Sequence, residues 1–153
     1  QVGDLSDPAS ALGQSPLRSP SVFNFFRPGY FPTNTEIANR GLLAPEFQLV
    51  NETSVAGYVN FIERAITGGR TPVADITLDF SAEIAIAQDS AALLDRLDLL
   101  LTGRQLSSGV RDTIRTAMED VPLTATSTNA ERLRRVQIGV ALILASTDYL
   151  IQK

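Results

Sequence analysis

The chain has 153 residues, of which 44% are hydrophobic and 20% are charged, and its formal net charge is −4. This length and composition favour one soluble globular domain with a sizeable core over a disordered chain, and the negative charge disfavours nucleic acid as a partner. The sequence contains no Cys and no His, which excludes disulfides, thiolate nucleophiles, imidazole bases and the common zinc-ligand sets within this chain.

The N-terminal end of the sequence predicts no helix. Residues 1–20 are rich in Ser, Pro, Gly and Asp, which is typical of an arm or linker. Residues 1–11 lack the basic start and apolar run of a signal peptide. The first residue is not Met, so we expect the chain to be a fragment or a processed product. We expect residues 1–20 to form an arm and residues 21–153 to form a single helical domain, the C-terminal piece of a larger protein.

Residues 23–31 contain five of the ten aromatic side chains of the chain. The five rings are Phe23, Phe25, Phe26, Tyr30 and Phe31. Residues 21–26 are compatible with one helical turn, which the following Arg-Pro-Gly would end. Buried rings would attach an irregular arm to the core or to a partner, whereas exposed rings would offer a platform for a sugar or another surface.

Two helices are predicted before the middle of the chain. Thr33 and Glu36 fit a capping box, which predicts a short helix. Asn51 is a good N-cap for a longer helix over residues 52–67, which a pair of glycines ends. We expect the apolar stripe of this longer helix to face the core, and Phe61, which lies off the stripe, to need a second contact. The stripe consists of Val55, Tyr58, Val59, Ile62 and Ile66.

The second half of the sequence predicts four more helices after a loop over residues 69–80. They run from Ser81 to Ala87, from Asp89 to Leu101, from Ser107 to the stop at Val121, and from Thr128 past Ala145. We expect the second half of the last helix to be buried nearly all round. The leucines of the helix from Asp89 that are expected to face inward are Leu93, Leu94, Leu97, Leu100 and Leu101. The longest apolar stretch, residues 138–145, is too short to span a bilayer. The predicted fold is all-α, with an irregular aromatic-rich N-terminal arm followed by a bundle-like core of about five or six helices.

Four sequence blocks, in order along the chain, carry a resemblance to a known family. They are FNFFRPGY, GLLAPEFQLVNETSV, LLDRLDLLLTGRQLS and RRVQIGVALILASTDYLIQK. Over residues 12–153 the chain resembles the C-terminal part of the bacterial domain-of-unknown-function 1800 family. The resemblance implies that the chain is the tail of a larger, exported protein, and hence a periplasmic or extracellular location. It implies no activity, because the family has no established one, and no catalytic residues are carried over.

The candidate interaction or docking residues lie in the first two blocks. They are Phe23, Phe25, Phe26, Arg27, Tyr30, Phe31, Glu46, Asn51 and Glu52. A fork from Arg27 to Glu46 or Glu52 would tie the arm to the long helix. Ordinary helix capping accounts for the polar residues around Asn51.

No group of residues in the sequence predicts a catalytic, metal-binding or cofactor site. Carboxylate pairs occur at Asp4/Asp7, Asp75/Asp79 and Asp95/Asp98. None has the spacing of a calcium loop, and we expect Asp95 and Asp98 to lie on the wet face of their helix. The arginines at 132, 134 and 135 are interpreted as a solvated helix face.

The sequence favours a non-catalytic structural or interaction module within a larger protein, whose partner is the upstream part of the same protein or another protein subunit. One alternative is the wall of an enzyme active site whose catalytic residues lie upstream. A deep pocket lined by Arg27, Glu46, Asn51 and Glu52 would favour this alternative. The other alternative is a carbohydrate- or surface-binding module that uses the aromatic cluster, which a flat row of exposed rings would favour.

Overall fold

The computed structural model describes residues 3–68 and 77–151. Within these ranges the chain forms seven α-helices and one 3-10 helix and no β-strand, so the all-α prediction is confirmed. The helices are α1 (Glu36–Asn39), the 3-10 helix (Pro45–Gln48), α2 (Glu52–Thr67), α3 (Ser81–Ile86), α4 (Ser90–Thr102), α5 (Ser108–Glu119), α6 (Asn129–Leu144) and α7 (Thr147–Leu150). No helix in the described ranges combines the length and the hydropathy needed to cross a lipid bilayer.

The contacts within the chain define two compact units. The first unit runs to Ala65 and contains α1, the 3-10 helix and most of α2, while the second contains Ile66–Gly68 and α3 to α7. The expected arm over residues 1–20 and single domain over residues 21–153 stay a prediction. Of the predicted loop 69–80, residues 69–76 lie outside the described residues, and residues 77–80 are not helical.

Helix α2 begins and ends where its caps predicted. The side-chain oxygen of Asn51 accepts a hydrogen bond from the Ser54 N–H at 3.0 Å, and the Asn51 N–H donates to the Ser54 hydroxyl at 2.9 Å. Gly68, which follows the last turn, has a φ of +77°, a conformation that costs Gly little and that commonly ends a helix. The predicted bounds of 52–67 are therefore correct.

The predicted apolar stripe of α2 is covered only in part: Ile66 is buried and Tyr58 and Ile62 are half-buried, whereas Val55 and Val59 are not covered. Val55 and Val59 are 52% and 45% exposed. Phe61, which lies off the stripe, is only 6% exposed and packs with Leu5 and Ala11 of the N-terminal segment. Periodicity locates an apolar face but cannot say what covers it, and here the covering segment approaches from another side.

Gly57 explains how the N-terminal segment packs so closely on α2. A Cβ atom at this position would lie 2.1 Å from the carbonyl oxygen of Pro8 and 2.8 Å from the carbonyl carbon of Ala9. Arg64, two turns further along the helix, donates a hydrogen bond to the Ser10 carbonyl. The segment therefore has no helix, as predicted, but it lies against α2 through its backbone.

Two local predictions in the first unit were wrong. The N-cap of α1 is Thr35, whose hydroxyl accepts a hydrogen bond from the Ala38 N–H at 3.3 Å, and not Thr33. Residues 21–26 do not form a helical turn, because Asn24 has a φ of +65°, which is incompatible with a right-handed helix.

The second unit is a small helical bundle in which α6 packs against α3, α4, α5 and α7. Its buried apolar side chains are Ile66, Ala87, Leu93, Leu94, Leu97, Leu106, Ile114, Met118, Val136, Val140 and Ile143. Gly139 of α6 is also buried, and a Cβ there would lie 2.9 Å from Leu97 Cδ1 and 3.1 Å from the Met118 sulfur. This small residue lets α4 and α5 approach α6 closely.

The ends of α4 and α6 confirm their sequence-based caps, whereas the N-cap position of α3 is Phe80, which makes no side-chain cap. The Asp89 carboxylate accepts hydrogen bonds from the first-turn amides of α4, and Gly103 ends that helix with a φ of +66°. Thr128 and Glu131 form the predicted capping box of α6. Each of these signals is local, so it does not depend on which neighbours the helix packs against.

Two predictions of burial in the second unit were wrong. Leu100 at the end of α4 is exposed, although the other leucines of its stripe are buried or half-buried. Helix α6 is not buried all round in its second half, because Leu142 and Ala145 are exposed. The apolar content at these positions therefore exceeds what the described residues cover.

Candidate interaction surface

The first two sequence blocks of the family meet in the first unit. The Arg27 N–H donates to the side-chain oxygen of Gln48 at 2.8 Å. The Ala44 N–H donates to the Tyr30 carbonyl oxygen at 2.9 Å. These bonds hold residues 27–30 against the 3-10 helix through the backbone, where the sequence suggested an ionic tie.

The expected fork between Arg27 and a carboxylate is not formed. Arg27, Glu46 and Glu52 are all exposed, and the ion pairs among the described residues do not include Arg27. Exposed ion pairs add little to stability. Residues 27–30 are held to the 3-10 helix by hydrogen bonds of their backbone. The assignment of these three residues to docking stays a prediction.

The five rings of residues 23–31 are neither buried together nor laid out as one flat row. Phe23 and Phe31 are 57% and 43% exposed, and the other three rings are half-buried. Within the described residues they form no aromatic cluster. The aromatic-rich arm is therefore not confirmed as a packed unit.

An open groove of about 710 Å³ lies along the beginning of α2. Asn51 and Glu52 line it together with Val50, Val55 and Val59. Arg27 and Glu46 are not in its lining, so the groove lacks the four convergent polar groups expected of an active-site wall. Its walls are mainly aliphatic.

The first unit exposes far more apolar side chains than it buries. Its buried hydrophobic core consists of Leu5, Ala11 and Phe61. We use the name apolar surface for the large exposed hydrophobics of residues 17–59, which are Leu17, Val22, Phe23, Phe31, Leu42, Leu43, Phe47, Val50, Val55 and Val59. Monomeric proteins rarely leave so much apolar surface open without a partner.

Asp98 is buried, contrary to the expectation that it lies on a wet helix face. It is 2% exposed, and its carboxylate accepts hydrogen bonds from the Leu106 N–H at 3.3 Å, from the Thr102 hydroxyl and from Arg111. Arg111 also pairs with the exposed Asp95, and this hydrogen bond, followed by that to Asp98, raises the pKa of the guanidinium. The carboxylates thus brace the turn between α4 and α5.

Arg135 was also misplaced by the sequence, which interpreted three arginines as a solvated face. Its side chain is buried, and its guanidinium donates to the carbonyl oxygens of Ala87 and Gln88 at 3.1 Å each and to that of Val121. Burial lowers the pKa of the guanidinium, against the smaller opposite effect of Glu119. Since these carbonyls follow the C-terminal ends of α3 and α5, the cation lies at the negative ends of two helices. With three arginines in four residues, no sequence signal singled out this one.

The N-cap residue of α5 is held by a side chain from the other end of the second unit. Ser107 occupies the predicted cap position, but its own side chain does not bond to the first turn. The Asp148 carboxylate accepts hydrogen bonds from the Ser107 N–H at 2.9 Å and from its hydroxyl at 2.8 Å. No sequence pattern links positions 41 residues apart, so this contact was not predicted.

The remaining acidic residues do not form a metal centre in the part of the chain that the structure describes. The carboxylates of Asp4 and Asp7 accept hydrogen bonds from Ser6 and Ser10, which lower the pKa of both carboxyls. These bonds belong to local turns. Asp75 of the second predicted pair lies outside the described residues.

The fold and the surface together define an all-α protein whose described polar networks brace helix ends and turns. Residues 1–151 match the family described as "Protein of unknown function (DUF1800)", and the chain belongs to this family. The resemblance noted in its four sequence blocks is thereby confirmed. No curated protein and no solved structure matches the chain.

Proposed function

We propose that the chain is a non-catalytic structural or interaction module whose first unit is completed by another polypeptide. The observation that carries the proposal is the imbalance between the apolar surface and the small buried core of that unit. A unit with so few buried side chains stabilises itself weakly. Covering the apolar surface would add the missing burial.

The valines of α2 indicate how much stabilisation is available. Full burial of such a side chain stabilises by about 1.5–3 kcal/mol, and Val50, Val55 and Val59 are each roughly half exposed. Covering the three would therefore contribute about 2–4 kcal/mol. The half-buried and exposed rings of residues 23–31 add further area at the same unit, which supports their role in docking.

The proposed partner is the upstream part of the same protein or another subunit of an exported bacterial complex. Family resemblance supports the larger, exported protein. The groove along α2 supports a proteinaceous occupant, because its aliphatic walls match an apolar side-chain surface better than a polar ligand. Asn51 and Glu52 at its rim would then fix the orientation of the partner.

The test is site-specific photo-crosslinking in the native protein. A photoreactive residue replaces Val59, and a matched control replaces Thr113, which is exposed on α5. We expect Val59 to crosslink at high yield to one defined segment, either upstream in the same polypeptide or in a stoichiometric subunit, and Thr113 to give no such product. Equal, diffuse products at both positions would contradict the proposal.

A charge substitution gives an independent test. Val55→Asp with Val59→Asp lowers the melting temperature of the 153-residue chain only modestly, because both valines are already about half exposed in it. The same pair lowers the yield and stability of the native protein if a partner covers them. The proposal would be refuted if the native protein had the mass of these residues alone and the two substitutions left its yield and stability unchanged.

A further inference from the structure

A second cavity, of about 400 Å³, lies entirely within the first unit. It is open to solvent and is lined by Leu5, by six residues of the range 12–19, and by Asn24 and Phe25. The volume falls within the range of small-molecule sites. Val55 and Val59 do not line it, so it is separate from the groove along α2.

One hydroxyl group that lines the cavity has no hydrogen-bond partner among the described residues. Ser15 is 5% exposed, and within the described ranges its backbone carbonyl accepts a hydrogen bond from the Arg18 N–H while its hydroxyl has none. A hydroxyl that is accessible from the cavity can both donate and accept a hydrogen bond to a ligand. The carboxamides of Gln14 and Asn24 line the same cavity. Three polar groups therefore converge on it.

The other walls are apolar, and part of the backbone around them is in an unfavourable conformation. The half-buried ring of Phe25 and the side chains of Leu5 and Leu17 line the cavity. Leu17 and Asn24 have φ values of +61° and +65°. Left-handed backbone at residues other than Gly carries a cost, and such positions cluster at ligand sites.

We propose that this cavity binds a neutral carbohydrate unit. Its lining has no charged side chain, so an ionic ligand would lose hydration without gaining a counter-charge. A wholly apolar ligand would leave the Ser15 hydroxyl and two carboxamides unpaired. A sugar ring has an apolar face to pack on Phe25 and hydroxyls to pair with the polar groups. The proposal goes beyond the module function and does not depend on it.

The test is a titration of the 153-residue chain with neutral disaccharides, namely maltose, cellobiose and diacetylchitobiose, with indole as the apolar control probe. Backbone amide chemical shifts are followed by NMR. We expect at least one disaccharide to shift the amides of Ser15 and Asn24 saturably, with a Kd in the millimolar range or below. The amides around Val59 should not move, which separates this result from the partner experiment.

Three variants locate the site. Phe25→Leu should weaken binding about tenfold through loss of the ring face, and Ser15→Ala about fivefold through loss of one hydrogen bond. Phe47→Leu is the matched control, because Phe47 is exposed in the same unit and outside the cavity, and it should bind as the parent does. If either cavity variant unfolds, Gln14→Ala at the exposed rim replaces it.

Two results would overturn the proposal. One is the absence of saturable shifts with all three disaccharides at tens of millimolar. The other is saturation by indole alone, which would make the cavity an apolar pocket. Binding that Phe25→Leu and Gln14→Ala leave unchanged would place the sugar elsewhere on the chain and equally contradict it.

Discussion

Replacing Gly57 with alanine tests the packing of the N-terminal segment on α2. The new Cβ would lie 2.1 Å from the Pro8 carbonyl oxygen and 2.8 Å from the Ala9 carbonyl carbon. Both contacts are with backbone atoms, so no side-chain rotation relieves them. The segment must move away from the helix.

Opposing effects set the magnitude of this change. Alanine in a helix interior is favoured over glycine by about 1 kcal/mol. Displacement of the segment exposes Leu5 and Phe61, which are both buried in the parent, and each loses about 1.5–3 kcal/mol of burial. The net expectation for Gly57→Ala is a destabilisation of the first unit by about 2–5 kcal/mol.

Amide hydrogen exchange measures the displacement directly. The Ala11 N–H donates to the Asp7 carbonyl at 2.9 Å and the Leu12 N–H to the Leu5 carbonyl at 3.1 Å. We expect both amides to exchange at least tenfold faster in Gly57→Ala, because the turns they close are held against α2. Amides of α5 and α6 should exchange as in the parent.

Gly109→Ala is the matched control for this substitution. Gly109 is also helical, but a Cβ there meets no atom within 4 Å. This variant should keep or slightly raise the stability, by up to about 1 kcal/mol. If Gly57→Ala behaved in the same way, with unchanged exchange at Ala11 and Leu12, the close approach of the segment to α2 would be refuted.

Three further predictions concern the second unit. Arg135→Met should lower the free energy of unfolding of this unit by about 3 kcal/mol or more, because three carbonyl groups lose their donor. Arg134→Met, at the exposed neighbour, should change it by less than about 0.5 kcal/mol. Equal effects of the two substitutions in urea unfolding would contradict the buried role of Arg135. Asp148→Ala should cost about 1 kcal/mol and speed exchange of the Ser107 amide at the start of α5, which its carboxylate binds; unchanged exchange of that amide would argue against this bond. Hydrogen bonds from Thr128 lower the pKa of Glu131 below its ordinary value of 4.5, so the stability that the ionised Glu131 contributes is complete above pH 4.5 and is lost as the pH falls through the lowered value. Glu131→Gln, which can still form the capping box, should remove this pH dependence from a plot of the free energy of unfolding against pH. An unchanged plot would rule the contribution out.

Local signals in the sequence were sufficient for most helix bounds. The caps at Asn51, Asp89 and Thr128 and the glycine at 103 each act within one turn, and the structure confirms all four. Thr33 failed because Thr35, two residues on, competes for the same helix start, and propensity alone does not separate two such neighbours.

The candidate docking residues could be named from the sequence, but their arrangement could not. The sequence suggested an ionic tie from Arg27, whereas the observed tie is its backbone N–H bonded to Gln48. The Ser15 hydroxyl gave no signal at all, since its place in the cavity depends on how residues 12–19 fold back.

The sequence by itself determined that this chain is helical, where most of its helices begin and end, and to which family it belongs. The helices and their ends follow from interactions between residues a few positions apart, and the family follows from the four sequence blocks. Only the tertiary structure decided which apolar side chains are covered, as Val59 is exposed and Phe61 is buried. It also decided that Asp98 and Arg135 are internal braces. Burial depends on contacts between distant segments, and the period of a helix specifies an apolar face without specifying its neighbour.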